Sequence, residues 1–181
     1  MTYRRLLLPI LAVLVFVGPV AYADDQLTTV LTGNETSLIR TNCASVQSAM
    51  MRLHANDALA RVHLGQGYES ISTRLMTPMN SRVVVQKFDG SALIKTAADF
   101  NARLDQFRSE YQRYDQVVTK AIQMKCENDP QGFYNYIVQA REYRASVRES
   151  VVTLGDYITQ YRLQVDELRT YVDTPNKEKQ P

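Results

Sequence analysis

The chain has 181 residues, 21 lysines and arginines against 19 aspartates and glutamates, 11 tyrosines and no tryptophan. Two of the basic residues, Arg4 and Arg5, belong to a leader-like N-terminus, so the remainder carries 19 charges of each sign. That balance lacks the basic excess of a nucleic-acid-binding protein, and the length suits one domain.

Arg4 and Arg5 form a positive n-region, Leu6 to Phe16 an apolar h-region, and Gly18-Pro19 breaks the run before Ala21-Tyr22-Ala23. That small-x-small triplet is the form a signal peptidase cuts after. Residues 1–23 are therefore expected to be a signal peptide, outside the fold, with 24–34 a disordered N-terminal segment. The alternative is a membrane anchor over residues 6–20, but this run is shorter than the roughly 20 residues of a spanning helix. The predicted location is secreted or extracytoplasmic, in the periplasm or at the cell surface, and the membrane is touched only through an uncleaved N-terminal segment. Arg4-Arg5 leaves twin-arginine export as an alternative route, without the rest of that motif. Asn34-Glu35-Thr36 has the form of a glycosylation sequon.

The first amphipathic stripe runs Ile39, Cys43, Val46, Met50, Leu53, Asp57, Ala60, Leu64, Gly67 and Ile71, in steps alternating between four and three. Leu75 and Met79 continue it after a stutter. The pattern predicts a helix over about 36–86, with Pro78 expected to kink or end it.

A second stripe, Leu93, Ala97, Phe100, Leu104, Phe107, Tyr111, Tyr114 and Val118, continues through Ile122 to Cys126 and predicts a helix over about 91–127. Ser91 is its expected N-cap, and Asn128-Asp129-Pro130 reads as a stop followed by a new start.

The third stripe is the longest: Phe133, Ile137, Ala140, Arg144, Val147, Val151, Leu154, Ile158, Tyr161, Val165, Leu168 and Val172. It predicts a helix over about 131–172, with a disordered tail at 173–181. A period near 3.5 keeps an apolar seam facing a partner helix. Three such helices joined by short turns predict an all-α fold, an elongated antiparallel up-down-up three-helix bundle of coiled-coil type over 35–172, on the order of 60 Å long.

Cys43 and Cys126 are the only cysteines. In an exported chain a widely spaced pair reads as a disulfide, against the alternative of two free structural thiols. The bond would place residue 43 level with the end of helix two and the start of helix three. In that register the three helices have equal lengths.

The same register sets Asp57 beside Arg144, the two charged residues interrupting their stripes. They are expected to form a buried ion pair that fixes alignment, with Tyr111 or Tyr114 supplying a hydroxyl; the alternative is that each reaches solvent independently. Gly67 falls level with Gly155, which suggests a close helix contact. Gly65-Gln66-Gly67 lacks the context of a phosphate loop.

His54 and His63 fall roughly on opposite sides of their helix, and no Glu-x-x-His pair suggests a di-iron site. Met50 and Met79 occupy core positions, as packing residues do. Tyr68, Tyr134, Tyr136, Tyr143, Tyr157 and Tyr171 lie beside the stripes, where hydroxyls can meet water. No catalytic, metal-binding or cofactor-binding set emerges, and no cofactor is expected.

Asn56-Asp57, Arg61-Val62, Gly65-Gln66, Tyr68-Glu69 and Leu75-Met76, with Phe133-Tyr134 and Arg141 later, resemble a group of uncharacterised exported helical proteins of small-genome bacteria. The similarity spans most of the mature chain. It implies an extracytoplasmic helical protein and carries over no functional residue. The expected function is a non-enzymatic, exported coiled-coil protein, a structural or protein-interaction module at the cell envelope with a protein partner or self-association. The alternative is a periplasmic chaperone-like module for unfolded or membrane clients. No nucleic-acid partner is expected.

Overall fold

The computed structural model describes residues 30–174, and every regular element among them is helical. α1 spans Gly33–Ser70, a π-helical stretch Ile71–Met76 follows directly, and α2 spans Thr77–Val85. α3 spans Ser91–Gln123 and α4 spans Pro130–Asp173. The expected signal peptide, residues 24–29 and residues 175–181 lie outside the described residues.

The helical arm begins before its expected start. Thr32 is the N-cap: its hydroxyl accepts from the Glu35 N–H, and the Glu35 carboxylate accepts the Thr32 N–H at 2.8 Å. This Thr-x-x-Glu capping box satisfies two otherwise orphaned donors and draws Gly33 and Asn34 out of the expected disordered segment. At the other end of the chain, Asp173 closes α4 and does not belong to a disordered tail.

Pro78 does not end the arm. A proline lacks an N–H but suits the first turn of an α segment, and it stands at that point in α2. In the π stretch before it, the Thr77 N–H and hydroxyl both reach the Ser72 carbonyl. The wider turn rotates the apolar face. Met76 and Val83 are buried as a result, while Leu75, expected on the stripe, is 62% exposed.

α2 closes in a Schellman motif: Phe88 N–H bonds the Val83 carbonyl and Lys87 N–H the Val84 carbonyl, each at 3.1 Å. Lys87 takes the left-handed position at φ 58°. Gly90, not Ser91, caps α3, and the Asp89 carboxylate accepts the Ser91 N–H at 3.1 Å. α3 ends at Gln123, earlier than the expected 127, because Met124 turns extended and carries Cys126 into the connection. Asp129 then caps α4 by accepting the Gly132 N–H at 2.8 Å, with Pro130 in the first turn.

All eight residues of the expected α3 stripe from Leu93 to Val118 are buried. They pack in three successive clusters. Leu93 to Phe107 meets Leu154 and Tyr161 of α4, Tyr111 to Val118 meets Ala140, and Ala121 meets Phe133. Rising numbers on α3 thus meet falling numbers on α4. Ser150, fully buried in this interface, donates to the Glu110 carboxylate at 2.6 Å. The first arm joins differently, because Cys43 and Tyr68 are the only buried residues of α1. Tyr68, expected beside the stripe with its hydroxyl in water, instead stands edge-on to both Phe100 and Phe107 with ring centroids 6.1 and 6.0 Å away.

Candidate functional site

Between Cys43 and Tyr68 the apolar stripe of α1 is left partly uncovered: Val46, Leu53 and Leu64 are 38, 44 and 37% exposed. They line a groove whose walls are α1 and α4. Its first recess, about 730 Å³, is bounded by Val46, Met50 and Leu53 on one side and by Phe133, Ile137 and Arg141 on the other, over a floor of Tyr114 and Val118. A second, about 600 Å³, continues past Arg144 between Leu64 and Val151 over Phe107 and Tyr111. A third, about 510 Å³, lies between Ile71 to Arg82 and Ile158 to Val165. The groove is apolar at its centre because it is built from heptad positions that no helix among the described residues fills.

Polar contacts tie the first helical arm to α3 and set its register. Cys43 and Cys126 are disulfide-bonded with Cα atoms 5.7 Å apart. One turn on, Gln47 Nε2 donates to the carbonyls of Met124, Ile122 and Ala121 at 2.7, 3.0 and 3.2 Å. These are carbonyls that the end of α3 leaves without helical partners. Further along, His54 Nε2 lies 2.7 Å from Asp115, Glu69 pairs with Arg108, and the Ser72 hydroxyl donates to Asn101 at 2.6 Å. At the far end the Tyr161 hydroxyl stands 2.7 Å from Asn80 Oδ1 and 3.2 Å from the Met76 carbonyl.

Asp57 and Arg144 meet across the groove, with two contacts of 2.9 and 3.0 Å, and the Tyr114 hydroxyl donates to the same carboxylate at 2.6 Å. The pair is not buried as expected. Asp57 keeps 20% of its side-chain surface and Arg144 52%, since the open groove leaves the guanidinium in water on its outer side. Partial burial raises the Asp57 pKa, but the hydrogen bonds from Arg144 and Tyr114 and the Arg144 charge outweigh it, so the carboxyl titrates below its usual range. Burial and the bond to Asp57 together push the Tyr114 hydroxyl well above a free tyrosine.

Gly67 and Gly155 do not make the expected close helix contact. Both are exposed, and a Cβ added to either would meet nothing within 4 Å. The walls stand too far apart at this level for backbones to touch. In number they fall between the residues lining the second recess, up to Leu64 and Val151, and those lining the third, from Ile71 and Ile158.

The clamps by Gln47, His54 and Glu69 had no signal in the stripes, because polar positions beside a seam look alike until register and rotation are set; Tyr161 stood on the third stripe, which marked its ring for burial but not the partners of its hydroxyl. The Thr32-x-x-Glu35 cap was readable. No family model, curated protein or solved structure matches the chain. Among the described residues no helix is long and apolar enough to cross a membrane, and no group of three or more His, Cys, Asp or Glu side chains is placed to hold a metal.

Proposed function

We propose that this chain is an exported, non-enzymatic interaction module, an up-down-up three-helix coiled coil that receives a protein partner along the α1–α4 groove. The observation that carries the reading is the uncovered α1 seam: Val46, Leu53 and Leu64 sit at heptad positions yet face open recesses of about 730 and 600 Å³. An apolar seam of this period is complementary to one more helix. Export rests on the N-terminal residues from Arg4 to Ala23 and on the Cys43–Cys126 bond, which suits an oxidising compartment.

Placing a photoreactive benzoylphenylalanine at Leu53, in the groove, and at Val152, exposed outside it, tests this in the native envelope. A discrete cross-linked protein from position 53 alone is expected. A broad spread of species from 53 indicates the chaperone-like alternative. Equal products from both positions, or none, would overturn the groove as a binding site.

A further inference from the structure

The three recesses are lined by seven arginines and one carboxylate. Arg144 is paired with that carboxylate, Asp57. Arg61, Arg74, Arg82, Arg141, Arg148 and Arg162 have no carboxylate within ion-pair reach among the described residues. Arg61 instead lies over the Tyr111 ring, 5.2 Å from its centroid. Arg61 and Arg74 also border a recess of about 520 Å³ between α1 and α3, beside Arg108 and Glu69, so of these six the cations that line the groove alone are Arg82, Arg141, Arg148 and Arg162, in a chain whose mature part balances its charges. The Tyr111 hydroxyl in the middle section is one of only two buried side-chain polar atoms among the described residues without a hydrogen-bond partner.

We propose that the occupant of the groove is an acidic amphipathic helix, with apolar residues toward the α3 floor and glutamates or aspartates along both edges. The inference rests on the reading of the groove as a protein-binding seam and specifies the partner's chemistry. On α4 the row Ile137, Arg141, Arg144, Arg148, Val151 and Ile158 rises along one face in heptad steps. This row sets three arginines along the α4 edge, while the α3 floor of Phe107, Tyr111, Tyr114 and Val118 supplies the apolar centre.

Length argues for a helix. From Phe133 to Val165 the recesses extend on the order of 50 Å at 1.5 Å per residue. A bilayer's hydrocarbon core is about 30 Å across, so one acyl chain spans about half of that and would fill only one recess. Charge argues against a second copy of this chain seated groove to groove, since a two-fold contact would set one arginine-lined face against another.

The test uses the full mature chain and three designed peptides of about 32 residues that share one leucine heptad face and differ only at the flanking positions, which are glutamate, glutamine or lysine. Binding is followed by fluorescence anisotropy, with sedimentation of the protein alone and with phosphatidylglycerol and phosphatidylcholine vesicles in parallel. The glutamate peptide is expected to bind at least tenfold tighter than the glutamine one and a hundredfold tighter than the lysine one, with the preference shrinking as salt rises. The R141Q/R148Q/R162Q variant, which leaves Arg61, Arg74 and Arg82 on the opposite edge, should keep its helicity and lose most of its preference for the glutamate peptide over the glutamine one.

Equal affinity for all three peptides overturns the acidic partner and leaves the groove reading standing. No peptide binding, with or without binding to phosphatidylglycerol vesicles, overturns both. Self-association that the glutamate peptide fails to displace also overturns both, by showing the groove closed by the chain itself.

Discussion

The Arg144 guanidinium reaches one carboxylate oxygen of Asp57 from Nε at 2.9 Å and the other from Nη2 at 3.0 Å, spanning the groove between α4 and α1. Because Asp57 keeps only 20% of its surface while Arg144 keeps 52%, the two halves are unequal. Arg144→Met leaves an enclosed carboxylate held by Tyr114 alone and should cost about 1–2 kcal/mol in urea unfolding. The double variant Asp57→Leu with Arg144→Met removes the stranded charge as well and should recover most of that loss. A double variant less stable than the single one would show the pair to be a net stabiliser.

The pH dependence has a definite sign. With its folded pKa below the unfolded value, Asp57 stabilises the fold above the ordinary carboxylate pKa near 3.9, and this contribution fades as pH falls through the lower folded value. The melting-temperature gap between the native chain and Asp57→Asn should stay constant from pH 7 to about 5 and shrink below about 4. A gap that grew in acid would contradict the assignment.

The difference between the two kinds of seam explains which parts of the fold were legible. On α3 the expected positions from Leu93 to Val118 are all buried, because that stripe faces both other rods and its period alone decides which residues go inside. On α1 the same period marked Val46, Leu53 and Leu64, which stand partly in water. A heptad says that a helix has an apolar face, not whether the chain itself supplies the cover. The π stretch was hidden for a related reason: a stutter can be read at several residues, and Met76 instead of Leu75 turned inward only once the wide turn fell at Ile71–Met76. The approach of Asp57 to Arg144 was readable because two charges broke two stripes at matching levels. The spacing at Gly67 and Gly155 was not readable, since level positions set no interaxial distance.

The disulfide and Gln47 should bear unequally on the arms. Cys43 and Cys126 close a loop of 83 residues, and a link of that span typically contributes roughly 2–4 kcal/mol by restricting the unfolded chain. Since α1 buries only Cys43 and Tyr68, changing both cysteines to serine should release α1 first. Amide hydrogen exchange should then show protection lost around residues 36–60 while Phe100 to Phe107 and Leu154 stay protected. Gln47→Ala, which removes three bonds to the end of α3, should speed exchange in the same region and cost about 1 kcal/mol.

Lys87 offers a stabilising change. It holds φ 58° at the position after the α2 cap, where a side chain crowds the following carbonyl and glycine does not. Its Schellman bonds use backbone atoms only, so Lys87→Gly keeps them. Against the added entropy of a glycine in the unfolded chain, the net gain should be about 0.5–1 kcal/mol by thermal unfolding. A loss of stability would mean that the lysine side chain makes a contact worth more than the strain.

Gly67 and Gly155 separate stability from function most directly. Each lies within a helix and each has open space where a Cβ would stand, so Gly67→Ala and Gly155→Ala should stabilise the free chain by up to about 1 kcal/mol apiece through helix propensity alone. A helix lying in the groove would cross this level between the second and third recesses, where the two missing side chains let it approach both walls. The double alanine variant should therefore melt at a higher temperature yet bind the glutamate-flanked peptide several-fold more weakly, because two methyl groups would stand at the level where the helix passes from the second recess to the third. Unfolding and peptide titration on one preparation check both halves. Unchanged peptide affinity would place the bound helix elsewhere, and a lowered melting temperature would mean that the walls come closer at this level than the open space around the two glycines implies.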